Sequence, residues 1–510
     1  MKHYKTTAWQ EYEAGKEYKR RIGLYERVRQ NERFYRGDQW YGTHSDLPRP
    51  VFNLVRRITD YLVCAIVPGD IHIHYDDDRL PYLDTETMRR RVQEGIDVFN
   101  RNASYRWKRN GMQALIRKAL LNAAISGDGV FYCWWDSTKR NGQIFTGEIQ
   151  TDLIDNTDLF VADVNSTDLQ KQEYILLSGR ASVASLRREA IEAGMRDQDA
   201  ARIVSDSETE NGAGDLAAFE LDSSEKATYL IRFYRENGSV IFEKSTRDVI
   251  IKRVNTGLKY YPVAYFNWNT AKGSFHGSAP VSDMIANQKY INTAYSMIMK
   301  HMYDTAFSKV VYDKSRIPEW SNEVGEAIAA MGGGNVADAV SVVGVGKMQE
   351  GYAELIENVI ETTKNMMGAT EAALGDAAAN NTSAILVLQE ASKLALRQVS
   401  TELRRCIGDL ATIWADMLCV YCPPERALPI DSDGVIKAVS PDYPLLRQEL
   451  LRATATISDV DSYTPATTVA LLNRLLDGNY ISVETYLELL PSGAVQDRDK
   501  ILKTIKTKGA

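Results

Sequence analysis

From about residue 279 to 422 the sequence reads as a long amphipathic helix, a glycine-rich excursion, a second helix, a short glycine-bounded loop and a third helix of roughly forty residues. Two helices that leave a body and return side by side make a rod, which few compact folds accommodate. In the first, Val281, Met284, Gln288, Ile291, Tyr295, Ile298 and Met302 alternate spacings of three and four, and Pro280 sits in the first turn, where its missing N–H is harmless. A second seam, Leu396, Val399, Leu403, Cys406, Leu410, Ile413, Met417 and Val420, keeps that rhythm over more than three heptads. A helix over 382–422 would be ~60 Å long. One core does not cover that length, so neighbouring copies of the chain are expected to supply part of the cover. Leu396, Val399, Leu403, Leu410 and Ile413 are therefore expected at a subunit interface.

The 510 residues suggest three or so structural units at roughly 150 residues each. A hydrophobic content of 44% with 25% charged residues is ordinary globular composition. The net charge of −7 argues against coating nucleic acid by bulk attraction. Residues 16–57 nevertheless carry eleven Lys and Arg against five acids, interleaved with Tyr18, Tyr25, Phe34, Tyr35 and Trp40. Phosphate binding is one reading of this stretch. A salt-bridged helix surface with its aromatics packed inward is the favoured one. Five cysteines without a repeating spacing do not make a disulfide framework and imply a reducing compartment, so assembly in a cytoplasm is expected. No apolar h-region follows the first charges and no run approaches eighteen apolar residues, so neither a signal peptide nor a membrane span is expected.

Residues 8–36 read as one charged, tyrosine-rich helix stopped by Gly37, and further helices are expected over 53–66, 84–100 and 105–126. From Gly127 the period changes to short strand-like runs, Val130–Trp135, Ile144–Gln150, Leu159–Ala162 and Tyr174–Ser178, then Thr228–Tyr234, Val240–Phe242, Val249–Val254 and Val263–Phe266. An insertion at 181–226 separates the two sets, and its acidic part, 204–226, reads as a mobile loop. The expectation is an antiparallel, β-rich region after a helical opening. Val310–Tyr312 and Ser341–Val343 read as strands around a short helix near Glu319–Met331. The last seventy residues give a strand-like piece, helices opening at Pro465 and near Ser482, and a tail with Lys500, Lys503 and Lys506.

No catalytic signature accompanies this layout. His72, His74 and Asp76–Asp78 form the most metal-like cluster, but ligands for a hard cation converge from separate elements, and a run of adjacent acids is usually a solvated turn. Cys419 and Cys422 form a lone CxxC without the second pair that zinc needs, and read as helix-end packing thiols. Gly344, Gly346 and Lys347 hint at a phosphate loop, yet Ser341 and Met348 stand where glycine and a hydroxyl residue belong. No catalytic residue, metal or cofactor is assigned. Glu354, Glu357, Glu361 and Lys364 make a mostly acidic stripe on the second rod helix, which is either a solvated face or a channel wall that repels DNA.

The order of these parts, and the phrases at Asn31–Trp40 (NERFYRGDQW), Asn53–Asp60 (NLVRRITD), Gly127–Tyr132 (GDGVFY), Gly368–Asp376 (GATEAALGD) and Asn479–Tyr486 (NYISVETY), resemble the portal, or head-to-tail connector, proteins of tailed double-stranded DNA bacteriophages. Together the phrases span nearly the whole chain.

That resemblance implies an α+β subunit of a ring, commonly of twelve copies, at one vertex of the capsid. It implies a wing (1–278), a first stem helix (279–305), a small α/β clip (306–350), a second stem helix (351–367), a tunnel loop (368–381), a long wing helix with its return strand (382–442) and a helical crown (443–510). The channel would be lined by Glu354, Glu357, Glu361, Glu371, Asp376, Asn380 and Asn381. Lys500, Lys503 and Lys506 would meet DNA in the crown. Expected partners are the major capsid protein, scaffolding protein, terminase large subunit, head-tail adaptor and double-stranded DNA, with no membrane. The loop 368–381 has no Lys or Arg, which argues against a DNA-gripping role. The alternatives weighed are a metal-dependent DNA-processing enzyme built on His72–Asp78 and a non-portal structural adaptor of the virion.

Overall fold

The structure, a computed structural model, describes residues 5–42, 47–66, 71–140, 142–206, 226–306, 309–321, 323, 327–343, 351–369, 396–432, 435–449, 451–457, 465–478 and 480–490. The Thr6 hydroxyl accepts from Trp9 N–H and caps α1 (Thr7–Arg21), which ends where Gly23 takes φ +67°. A β-carbon resists that conformation, so the single helix expected over 8–36 is two, α1 and α2 (Leu24–Arg36). Next come α3 (Leu54–Ile66), β1 (Ile71–Asp77), α4 (Glu86–Arg109) and α5 (Met112–Ser126). The α4–α5 break falls at Gly111 rather than between 100 and 105.

Two antiparallel sheets follow. β2 (Asp128–Arg140), β3 (Thr146–Ile154) and β9 (Val263–Asn267) run in the order β3-β2-β9. β4 (Leu159–Val161), β5 (Tyr174–Ser182), β6 (Lys226–Glu236), β7 (Ser239–Ser245) and β8 (Ile250–Asn255) form a sequential meander. With 49% helix, 23% strand and antiparallel ladders, the chain is α+β. In the insertion, α6 (Val183–Glu192) and α7 (Asp197–Ala200) pack Leu186, Ala190 and Ala200 against Ala227, Val249 and Ile251. Most of the loop expected over 204–226 lies outside the described residues.

Beyond β9 come α8 (Pro280–Ala306), β10 (Lys309–Tyr312), β11 (Val340–Val343), α9 (Gly351–Met366), α10 (Arg397–Tyr421), the hairpin β12 (Leu428–Ser432) and β13 (Val435–Val439), α11 (Tyr443–Gln448), β14 (Leu451–Ile457), α12 (Pro465–Asp477) and α13 (Val483–Leu489). β10 and β11 pair antiparallel, with Lys309 opposite Val343. The helix expected near Glu319–Met331 is absent among the described residues. Residues 319–321, 323 and 327–331, the described part of that span, are irregular, and Met331 N–H donates to the Arg316 carbonyl.

The largest correction concerns α10. Leu396, Val399, Leu403, Leu410 and Ile413 are at most 6% exposed within the single chain, so they are core and not a subunit interface. The described helix has 25 residues, ~38 Å, and β14, β9, β2 and α11 pack around it. A heptad seam demands apolar cover without saying who supplies it. Here strands distant in sequence do, because β14 pairs along β1. Tyr443, Leu446 and Leu451 join the same core, so residues 443–457 belong to the body, and the separate C-terminal unit is α12 with α13 around Leu472, Leu487 and Leu490.

Candidate functional site

The region that no single-chain core explains is the pair α8 and α9. At the root of α8 the tight turn at Gly127 (φ +98°) brings the backbone so near Gly277 that a β-carbon on Gly127 would meet the Gly277 carbonyl at 2.6 Å. Between these glycines lies a buried polar network. Asp128 Oδ1 accepts from Tyr265 O–H (2.9 Å), Asn267 Nδ2 (2.9 Å) and Gly277 N–H (2.8 Å), and its Oδ2 accepts from Asn156 Nδ2 (2.9 Å) and His276 Nδ1 (2.7 Å). Burial alone would raise the Asp128 pKa, but His276, Asn156 and the Gly277 N–H bring it below its ordinary value. Burial lowers that of His276, with Asp128 opposing, so the imidazole is held neutral. Lys19 donates to the carbonyls of Asn156, Thr157 and Leu159 at 2.8, 2.9 and 2.6 Å. Burial pulls its pKa down to about 7 against Asp158 and Asp128, while three acceptors call for the three N–H groups of the ammonium.

Polar side chains then bolt the first half of α8 to the body. Gln288 Oε1 accepts from the N–H groups of Leu54 (3.0 Å) and Val55 (3.3 Å), capping α3, while its Nε2 donates to Phe52 O and Asn292 Oδ1. Asn292 donates to Gln39 Oε1 (2.6 Å), Ser296 to Pro48 O (2.5 Å), and Asn31 to Ser282 Oγ (2.9 Å). The sequence signal for these anchors is a glutamine, Gln288, standing in an otherwise apolar seam.

Along α8 the burial fades. Val281, Met284, Gln288 and Ile291 are buried, Tyr295 and Ile298 are half-buried, and Met302 is 61% exposed. No residue of α8 beyond Ser296 is buried. The same stripe, continued, is therefore apolar and uncovered at Met299, Met302 and Tyr303. α9 lies against α8, where Asn287 Nδ2 donates to Thr363 Oγ1 (2.9 Å), and it presents three lines of side chains. Ile356 and Thr363 are buried; Tyr352, Leu355 and Met366 are exposed and apolar; Glu354, Glu357 and Glu361 are exposed and acidic. At about 100° per residue the three glutamates share an arc of about 60°, on the far side from Ile356. None has an ion-pair partner among the described residues. Among the described residues, thirteen of the twenty-seven exposed large apolar side chains lie between Tyr290 and Met366, including Val311 and Val342 on the β10–β11 pair. Such a concentration marks an interaction surface.

The other expected positions fall elsewhere. Glu371, Asp376, Asn380, Asn381, Lys500, Lys503 and Lys506 lie outside the described residues. Of the acidic run only Asp78 lies in a solvated turn: Ile71–Asp77 is a strand with His72, His74 and Asp76 on its outer side and Asp77 2% exposed on the inner. The two histidines and Asp77 thus face opposite ways, Asp78 pairs with Arg452 at 3.1 Å, and no metal-like grouping forms among the described residues. Cys419 and Cys422 are buried free thiols at the end of α10, and burial pushes Cys419 up to about 12, far from a reactive thiolate. In the basic stretch 16–57, Lys16 and Lys19 are buried, Arg20, Arg29, Arg36 and Arg56 pair with Glu17, Glu26, Glu32 and Asp60, and Tyr25 and Phe34 pack inward. That is the salt-bridged surface the sequence favoured. Among the described residues no helix is long and apolar enough to cross a membrane.

Among known proteins, a family model described as phage P22-like portal protein matches residues 16–469. No curated protein sequence matches the chain.

Proposed function

The chain belongs to the phage P22-like portal protein family, and from that membership we propose how its parts share the work of a ring that passes double-stranded DNA. Portal proteins are structural, non-enzymatic virion components at the head-tail connection, and form ring oligomers that work with capsid, terminase and DNA in genome packaging. The observation that carries the finer reading is the α8 stripe, buried as far as Ser296 and bare beyond it. Its outer half, with Tyr352, Leu355 and Met366 of α9, packs against neighbouring subunits. α8 and α9 are then the stem, 306–350 the clip and 368–381 the tunnel loop. Residues 1–278 and 382–457 form the wing body, and the crown begins after β14. A ring of the twelve copies implied by the resemblance closes these contacts.

Glu354, Glu357 and Glu361 face the lumen on this reading. Duplex DNA carries one charge per ~1.7 Å, so basic walls would hold it, whereas acidic walls leave it centred and free to slide. The rim of the clip, with β10 and β11 as edge strands, is the docking place for terminase and later for head-tail adaptors, while the wing meets scaffolding protein and the major capsid protein. Negative-stain images of the purified protein should show rings with a central hole. Replacing the three glutamates with lysine should slow packaging at low salt, and moderate salt should ease the slowing. Unchanged velocity at both salts removes the lumen assignment. Deleting 319–340 should leave the body folded and stop packaging, and normal packaging by that variant refutes the docking role.

A further inference from the structure

A cavity of about 320 Å³ opens between the C-terminal end of α4, the β2–β3 hairpin and the β12–β13 hairpin, far in sequence from the α8–α9 pair. Its size is within the ~300–1,000 Å³ typical of small-ligand sites. Arg106, Arg109, Arg426 and Lys437 line it against one carboxylate, Glu148. Glu148 is engaged by Arg109 at 3.3 Å. Arg106 donates to the Asn102 side chain at 3.2 Å, and neither Arg106 nor Arg426 has a carboxylate within ion-pair reach among the described residues. Arg426 is 4% exposed; it donates to the carbonyls of Thr146 and Gly147, and its Nε is buried without an acceptor. Basic residues in the last turn of α4 complement the helix dipole, but that role does not require a cavity or an arginine from another element. Buried guanidinium groups without a counter-charge are costly, and the site carries a net charge of +3 in its lining.

We propose that this cavity binds a phosphate group, either as free orthophosphate or as an ester on nucleic acid. A carboxylate offers two oxygens in one plane, whereas phosphate offers several acceptors and up to two charges to donors arriving from α4 on one side and from Arg426 and Lys437 on the other. Burial also draws the Arg106 guanidinium below its ordinary pKa, a strain that a bound anion relieves. The proposal does not depend on the ring reading.

The test is calorimetric titration of the full-length protein with inorganic phosphate, at ionic strength held constant with chloride. Parallel titrations use an oligonucleotide with a 5′-phosphate, the same oligonucleotide without it, and a duplex with internal diesters only. Saturable binding near one phosphate per chain is expected, and Arg109→Gln and Lys437→Gln should each weaken it about tenfold. Both side chains are exposed enough for the variants to fold, which unchanged thermal melting would verify; Arg426→Gln is avoided because it anchors the β2–β3 loop. Binding of inorganic phosphate alone assigns the free ion. Binding of any of the three nucleic-acid probes, in a manner lost in the double variant that combines Arg109→Gln and Lys437→Gln, assigns the ester. Absence of saturable binding by every probe, or equal affinity in the double variant, overturns the proposal.

Discussion

α8 and α10 carry seams of the same rhythm and meet opposite fates. Along α10 every seam position from Leu396 to Met417 is enclosed by strands and a helix of its own chain. Along α8 enclosure stops at Ser296 while the apolar stripe continues through Met299, Met302 and Tyr303. Periodicity therefore reports that a helix needs a partner, and only the fold reports whether the partner is already present. On the proposed reading, the subunit interface belongs to the seam that the chain leaves unfinished.

The comparison breaks most severely at the core of α10. Leu403→Asp with Leu410→Asp places unpaired charges in positions of 0% exposure, at a cost of several kcal/mol each. The chain itself should fail to fold, seen as loss of cooperative thermal unfolding, and not merely as loss of rings. A folded monomer from that variant would return the α10 seam to the interface. Truncation draws the same contrast more gently: Leu410→Ala should cost about 2–5 kcal/mol, whereas Met302→Ala should lie within about 0.5 kcal/mol in the unassembled chain. Denaturant unfolding of each variant measures the difference.

Between these extremes stands the root of α8. Gln288→Ala orphans the N–H groups of Leu54 and Val55 and should cost about 1–3 kcal/mol. Hydrogen exchange at the start of α3 and the first turns of α8 should quicken, with α10 unchanged.

The smallest effect is an acid response confined to the same root. The folded pKa of His276 lies below its ordinary 6.5, so as pH falls through 6.5 the unfolded chain takes up a proton that the folded chain refuses, and stability drops. The slope is at most about 1.4 kcal/mol per pH unit. Asp128, whose folded pKa lies below 3.8, adds a further loss under that pH. The α10 seam, made of Leu, Val, Ile, Cys and Met, offers nothing that titrates there. His276→Gln should abolish the step that begins near pH 6.5 in a pH series of melting temperatures, and a step that persists in the variant would assign it elsewhere.

Much of this architecture is legible in the sequence where a local signal exists. The eight strands between Val130 and Phe266, the start of α8 at Pro280 and the helix opening at Ser482 follow from alternation, proline and hydroxyl placement. The lost details are those fixed by distant pairing. Nothing local tells that His72 and His74 belong to a strand completed by residues 451–457, or that this strand shields α10. The acidic line of α9 was visible from its spacing, while its apolar companion of Tyr352, Leu355 and Met366 became meaningful only once Ile356 and Thr363 were seen to take the side facing α8.

On the proposed reading, the outer half of α8 serves assembly and not folding. Substituting Met302 and Tyr303 with Asp, then comparing thermal melting with size-exclusion chromatography and light scattering, tests it most directly. The expected result is a folded chain whose melting temperature matches wild-type monomer and which forms no rings. Intact rings from this variant would contradict it.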